Sequence, residues 1–185
     1  MNIVILAAGA SRRLGRPKQL IGTPPLVRRI AIEARAACDR VAVVIGANAG
    51  LVAPALDDLD VTLVWNGAWR EGMASSIRAG LRWGREIEAD AAILCPCDQP
   101  RLDRAHLARL RDAAPEDAVV ASRYAGVVGI PARFPRRTFA LLDRLRGDLG
   151  ARRVLAALHP LAIDWPDGAI DLDTPADLEA IGRTG

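Results

Sequence analysis

The sequence predicts an open, mainly parallel, Rossmann-like α/β sheet with helices on both faces, formed by a single domain over residues 1–185. Three observations carry this reading. Apolar runs of five or six residues occur at 2–7 (NIVILA), 41–46 (VAVVIG), 61–65 (VTLVW) and 91–95 (AAILC). Continuous apolar runs of this length suit strands covered on both faces. Helical patterns separate them, at 26–37, 51–56, 74–85 and 104–113, and alternating β and α elements build a parallel sheet with helices packed on it. Finally, 185 residues that are 51% hydrophobic can bury one substantial core, which excludes a disordered or fibrous chain.

The rest of the chain follows in order. Residues 119–122 and 127–130 read as a short strand pair around a turn at 124–126, and helices are expected at 136–144 and 149–158. A weak strand is expected near 169–172. Thr174 then has the form of an N-cap, with Pro175 at the first helical position and Asp177 two residues further on.

Composition removes several function classes. The apolar start is preceded by no basic region and is cut short by Gly9, so it does not read as a signal peptide. No later run approaches the roughly 20 apolar residues of a membrane helix. A cytoplasmic protein with no membrane association is expected. The net charge is only +3 and aromatics are 4%, too few to interleave with a basic stripe, so nucleic acid is not an expected partner. Cys38, Cys95 and Cys97 form no disulfide framework. Cys95 and Cys97 alternate along a strand with no second Cys/His pair to complete a metal site, and read as buried core thiols. Lys18 is the only lysine beside 24 arginines. An ammonium is a compact point charge and a guanidinium a planar fork, so the retained lysine marks a candidate functional cation.

Ligands bind such sheets at the carboxyl ends of the strands, which directs attention to the loops there. The first strand runs into Leu6-Ala7-Ala8-Gly9-Ala10-Ser11-Arg12-Arg13-Leu14-Gly15-Arg16-Pro17-Lys18. Small residues let backbone N–H groups approach phosphates, and the cations that follow can neutralise a triphosphate. The loop is neither a P-loop nor a dinucleotide fingerprint: Gly15 is followed by Arg16, and Ser11 stands where the second glycine would be. After the fourth strand, Cys95-Pro96-Cys97-Asp98-Gln99-Pro100 holds an aspartate between two prolines. A carboxylate fixed there can hold a hard cation. Its alternative, capping the next helix, suits Asp103 better.

These residues resemble a known family. L-A-A-G-x-S-x-R-[LM]-G-x-x-K over 6–18 is similar to the signature loop of the MobA-like nucleotidyltransferases, with Lys18 on its lysine. N-x-x-W-x-x-G-M-x-x-S over 66–76 is similar to a segment of the molybdenum cofactor cytidylyltransferase branch. C-D-Q-P over 97–100 resembles the family's metal-aspartate loop, and Asp171-Leu172-Asp173-Thr174-Pro175-Ala176-Asp177-Leu178 resembles D-[IVL]-D-T-P-x-D-L. Segments 126–131 and 147–152 resemble G-x-x-G-H-P and G-D-x-G-A-R, except that Ile130 stands where the molybdopterin branch has histidine.

The resemblance implies a sheet of the nucleotide-diphospho-sugar transferase type and a magnesium-dependent transfer of a nucleoside monophosphate to a phosphorylated acceptor. It implies that Leu6, Ala7, Ala8, Gly9, Ser11, Arg13 and Lys18 wrap the nucleotide. Asn66 and Ser75 or Ser76 would hold the nucleoside; Trp69 alone reads as packing. Lys18, Arg13 and Asp98 would act on the phosphates. Asp98 and Asp173 would bind Mg²⁺, with Asp171 as the alternative second ligand. Gly129, Pro131, Asp148 and Arg152 would face the acceptor. The guanylyl branch has glycine in place of Ala8, and a methyl there would narrow the space beside the base. CTP is therefore the expected donor, a phosphorylated pterin cofactor the expected acceptor, and a molybdenum hydroxylase apoenzyme an admissible protein partner. Guanylyl transfer, a sugar or polyol phosphate acceptor, and a nucleotide-binding chaperone without turnover are the competing expectations.

Overall fold

The computed structural model describes residues 1–12 and 14–170. Its seven-stranded sheet comprises β1 (Asn2–Leu6), β2 (Val41–Ile45), β3 (Thr62–Trp65), β4 (Ala91–Pro96), β5 (Val120–Tyr124), β6 (Val127–Pro135) and β7 (Leu161–Asp164), in the order β3-β2-β1-β4-β6-β5-β7. β1 pairs in parallel with β2 and β4, and β2 with β3. β6 is antiparallel to both β4 and β5, while β5 and β7 are parallel. The sheet is open and mainly parallel, as expected.

Alternation within the apolar strands assigns the two faces. Ile3, Ile5, Val41 and Val43 face one buried cluster, with Leu26, Val27 and Ile30 of α1 (Leu26–Ala37) and Leu107 and Leu110 of α4 (Arg104–Asp112). Val4 and Val44 face the other, with Ile77 and Leu81 of α3 (Met73–Glu86) and Phe139, Leu142 and Leu155. Each fully buried aliphatic side chain in such a layer contributes about 1.5–3 kcal/mol.

The structure departs from expectation where local chemistry is weak. The expected helix 51–56 is one α turn, α2 (Ala49–Val52), tightening into a 3-10 turn at Ala53–Leu56, because Pro54 supplies no N–H. The helix expected at 136–144 is a 3-10 turn, Arg136–Thr138, running into α5 (Phe139–Leu142). α6 (Arg152–Leu158) begins three residues later than expected. The expected strand near 169–172 is corrected: Pro166–Ala169 is a 3-10 turn, preceded by the unanticipated strand β7, while residues 171–172 and the Thr174 cap lie outside the described residues. β6 runs nine residues through Pro131 to reach β4. That extension buries Arg133, whose guanidinium donates to the carbonyls of Ala118, Arg111, Ala113 and Pro115. Four carbonyl acceptors satisfy this buried cation, with no carboxylate among the described residues bonded to it.

Candidate active site

The register places Leu6 of β1 beside Pro96 of β4. The loops that leave these two strands at their carboxyl ends therefore run side by side. The first is shaped by a residue that the sequence did not single out. Gln19 is buried, and its Nε2 donates to the carbonyls of Ala7 and Gly9, both at 2.8 Å. Ser11, at φ 52°, accepts a hydrogen bond from the Lys18 backbone N–H at 3.0 Å and donates to Gln19 Oε1 at 3.3 Å. Ser11 and Lys18 are thus tied together, and the lysine is delivered on a 3-10 turn (Lys18–Leu20). Gln19 is legible only in hindsight, as an amide followed by the apolar pair Leu20-Ile21.

Lys18 Nζ lies 2.6 Å from Asp98 Oδ2, joining residues 80 positions apart. Both side chains are about one-fifth exposed, at 20% and 24%. Cys97 lies buried beside the pair, and desolvation first, then the Asp98 charge, push its thiol up out of the titrating range. Cys95 is raised likewise by burial, so both thiols are inert core groups. Asp103 caps α4 by accepting from the His106 N–H at 2.8 Å, which leaves Asp98 clear of that task.

The pair lines a pocket of about 390 Å³. Leu6, Ala8, Gly9 and Ser11 of the first loop line it too, as do Ser76 and Asp148. Arg12, one of the loop's cations, also lines it, as do Arg70 and Met73, which had not been anticipated. Trp69 stands at the pocket with the Arg70 guanidinium stacked 4.3 Å from its ring centroid. Ala8 is 2% exposed and packs tightly on its neighbours: a Cβ built on Gly46 would lie 2.8 Å from the Ala8 methyl and 2.9 Å from Trp69 Cβ. Gly46 therefore lets Ala8 and Trp69 both pack against the same stretch of backbone, and Ala8 itself lines the pocket.

Other expected residues sit behind the pocket. Asn66 is buried, with Nδ2 donating to Ser75 Oγ at 2.8 Å and Ser76 Oγ at 3.1 Å. Ser75 Oγ donates in turn to Gly72 O. Asn66 and Ser75 thus support Ser76 and do not line the pocket. Ala7 is a buried core residue whose N–H extends the ladder to Val44 O. Gly72, at φ 106°, admits the 147–148 loop: Gly147 O accepts from the Ala74 N–H, and a Cβ on Gly72 would meet Asp148 Oδ1 at 2.4 Å. This contact brings Asp148 to the pocket. Gly129 and Pro131 are buried in β6, Pro131 O accepting from Ser122 Oγ, and Arg152 is exposed at the start of α6. None of these three lines the pocket. Arg13, Asp171 and Asp173 lie outside the described residues. Among the described residues, no group of three His, Cys, Asp or Glu side chains is close enough to hold a metal ion, and no helix is long and apolar enough to cross a membrane.

Residues 3–161 match the MobA-like NTP transferase domain. The chain belongs to that family. It is 33% identical over 187 residues to the molybdenum cofactor guanylyltransferase of Rhodobacter capsulatus, covering 95% of this chain and 91% of that protein. Purine catabolism protein PucB of Bacillus subtilis (strain 168) is 31% identical over 118 residues, a match that spans 61% of this chain and only 57% of PucB. Rv0371c of Mycobacterium tuberculosis H37Rv, solved in complex with manganese, superposes with a TM-score of 0.76 at 31% identity, covering 100% of this chain and 98% of that one. The sheet is of the nucleotide-diphospho-sugar transferase type. As a member of the family the chain is a nucleotidyltransferase, and the Lys18 and Asp98 loops fall inside the matched segment.

Proposed function

We propose that the chain transfers CMP from CTP to a phosphorylated molybdopterin-type cofactor and releases pyrophosphate, with Mg²⁺ as its metal. The observation that carries this reading is the Lys18–Asp98 pair in a pocket at the carboxyl ends of β1 and β4. One site there offers both a phosphate-binding cation and a hard oxygen donor.

The residues fit a magnesium ion. Mg²⁺ usually takes one or two carboxylates plus substrate phosphates and water, without an all-protein cage. One partly exposed carboxylate at the pocket suits that mode. Asp98, with Asp173 as second carboxylate, would hold the ion, which when bound neutralises charge on the reacting phosphate oxygens.

In the transfer, an acceptor phosphate oxygen bonds to the α-phosphorus, and the bond from that phosphorus to the β-phosphate oxygen breaks. The electron pair leaves with pyrophosphate, whose charge Lys18 and Arg13 neutralise. The first loop and Ser76 orient the nucleotide, and Asp148 faces the acceptor side. An acceptor phosphate is already anionic and needs no base. This suits a pocket that neither histidine lines, and His106 is held neutral in any case, chiefly by burial, with its pKa pushed down to about 4.

Guanylyl transfer is the second reading, favoured by the Rhodobacter capsulatus relative's name. A molybdenum hydroxylase apoenzyme is the proposed recipient of the product under either reading. The test measures pyrophosphate release with each nucleoside triphosphate, Mg²⁺ and molybdopterin, and compares kcat/KM for CTP and GTP in the native chain and in Ala8→Gly. CTP should be preferred, and Ala8→Gly should erode the preference by widening the pocket that Ala8 lines, within the roughly 1–3 kcal/mol that one methyl commands. A native preference for GTP selects the second reading. Asp98→Asn should keep the fold and lose most turnover; a variant with native turnover and native Mg²⁺ dependence removes Asp98 from the site.

A further inference from the structure

We propose that Gln99 is a positioning residue for Asp98, fixing the carboxylate from the buried side of its loop by a hydrogen bond to the Pro166–Ala169 turn. This inference rests on the proposed role of Asp98 as metal ligand. The loop that carries Asp98 leaves the sheet after Pro96, the last residue of β4 and the last in register with β1. Beyond that point three side chains tie it down. Arg29 of α1 donates to Pro100 O, Arg101 pairs with Asp167 at 2.9 Å, and Gln99 Nε2 donates to Gly168 O at 3.1 Å. Two of the three ties end on the same turn. The Arg101 pair is half exposed, so water and salt weaken it. The Gln99 bond is buried at both ends, where water does not compete for it. Its acceptor is itself fixed. The Gly168 N–H donates to Trp165 O at 3.0 Å, and a Cβ on Gly168 would lie 2.3 Å from the Trp165 ring and 2.8 Å from the Tyr124 ring. Trp165 stacks on His106 at 4.5 Å and meets Tyr124 edge-on at 5.9 Å. Gly168 O therefore sits on a packed aromatic platform that only glycine can approach so closely. Asp98 lines the pocket and its neighbour Gln99 does not. One residue thus faces the ligand and the next grips the platform, and a shift of Gln99 moves Asp98 through a single peptide unit. Groups that orient a metal ligand from behind commonly carry about 10–100-fold in metal affinity or activity.

The experiment titrates Mn²⁺ into the full chain in the presence of a non-hydrolysable CTP analogue and follows free Mn²⁺ by electron paramagnetic resonance. Gln99→Met removes the donor at similar length, and Gly168→Ala displaces the acceptor. Circular dichroism checks that each variant is folded; where one of the two is not, the other decides. Each should weaken Mn²⁺ binding at least about fivefold. The double variant should lose little more than the worse single, because both changes break the same bond. Pyrophosphate release in Gln99→Met should need at least about fivefold more Mg²⁺ for half its maximal rate, and the rate should recover at saturating Mg²⁺. Leu56→Ala is the control for lost stability. It opens a cavity in the Ala53–Leu56 turn, away from the loop, and should leave Mn²⁺ affinity within about twofold of native. Native Mn²⁺ affinity in a folded Gln99→Met or Gly168→Ala chain overturns the positioning role. An equal loss in Leu56→Ala, additive losses in the double variant, or a native chain that binds no Mn²⁺ under these conditions does the same. Asp98→Asn separates the two ideas. If it abolishes Mn²⁺ binding while Gln99→Met binds normally, only the positioning role fails. If it binds Mn²⁺ like the native chain, the assignment of Asp98 as ligand fails, and the role of Gln99 with it.

Discussion

Replacing Gln19 with leucine tests whether the first loop is held from beneath. Gln19 is 1% exposed, and its two 2.8 Å hydrogen bonds end on the carbonyls of Ala7 and Gly9. The two carbonyls are not equivalent. Gly9 is exposed and already accepts from Asn48 Nδ2 at 3.4 Å, so it rehydrates at little cost. Ala7 is 2% exposed, and its carbonyl has no such route to water. Leaving one buried carbonyl unpaired costs about 1–3 kcal/mol. For a chain of this size, that lowers Tm by roughly 2–12 °C. Ser11 also loses its Gln19 partner, so the backbone that delivers Lys18 loosens. Nucleotide affinity should then fall at least about tenfold, the ordering of the loop now being required at binding. Urea unfolding and calorimetric titration with nucleotide measure the two effects. Gln19→Glu sharpens the test, since it keeps the shape but turns an oxygen toward two carbonyl oxygens. A leucine variant that unfolds within 0.5 kcal/mol of the native chain and binds nucleotide normally would refute the reasoning.

Two further predictions follow from buried contacts. His106 stacks on Trp165 at 4.5 Å and contacts Ser122 Oγ at 2.7 Å; burial, with Arg109 adding to it, lowers its pKa to about 4. The unfolded chain, with its histidine near 6.5, binds the extra proton between those values, so stability is full above pH 6.5 and should fall by about 2 kcal/mol from pH 7 to pH 5. That slope should flatten in His106→Gln when urea midpoints are compared. Gly46→Ala would place a methyl under 3.0 Å from both Ala8 Cβ and Trp69 Cβ. It should cost about 1–3 kcal/mol in unfolding free energy and alter Trp69 fluorescence on nucleotide binding; a variant with native stability and native response would show that the packing around Gly46 is slack.

The elements that were legible in the sequence are those whose apolar pattern is unbroken. α1 was expected at 26–37 and spans Leu26–Ala37. The four parallel strands fall within a residue or two of their apolar runs. β7 was missed because four residues, Leu-Ala-Ile-Asp, half exposed at a sheet edge, carry too little periodicity to separate from a loop. β6 was cut short because Pro131 reads as a strand breaker, yet its lack of an N–H costs nothing where the ladder with β5 shifts register between Ala121 and Ser122.

The site divides in the same way, between residues set by local spacing and residues set by long-range contact. Ser11 and Lys18 were named together by the motif over 6–18, and in the fold Ser11 Oγ accepts from the Lys18 N–H. Asp98 could be proposed from its place after a strand, but that it lies within reach of Lys18 is a property of the β1–β4 register. Asn66 and Ser75 show the limit of motif reading. Polar residues at such spacing look like ligand contacts from sequence, because a hydroxyl or amide offers the same donors to a base as to its neighbours. Here Asn66 satisfies both serines, and only Ser76, one position along α3, turns toward the pocket. Helical geometry separates them: adjacent residues lie about 100° apart around the axis, so of two consecutive serines bonded to one amide only one also lines the pocket. Of the residues the motif offered, one lines the pocket and the others support it.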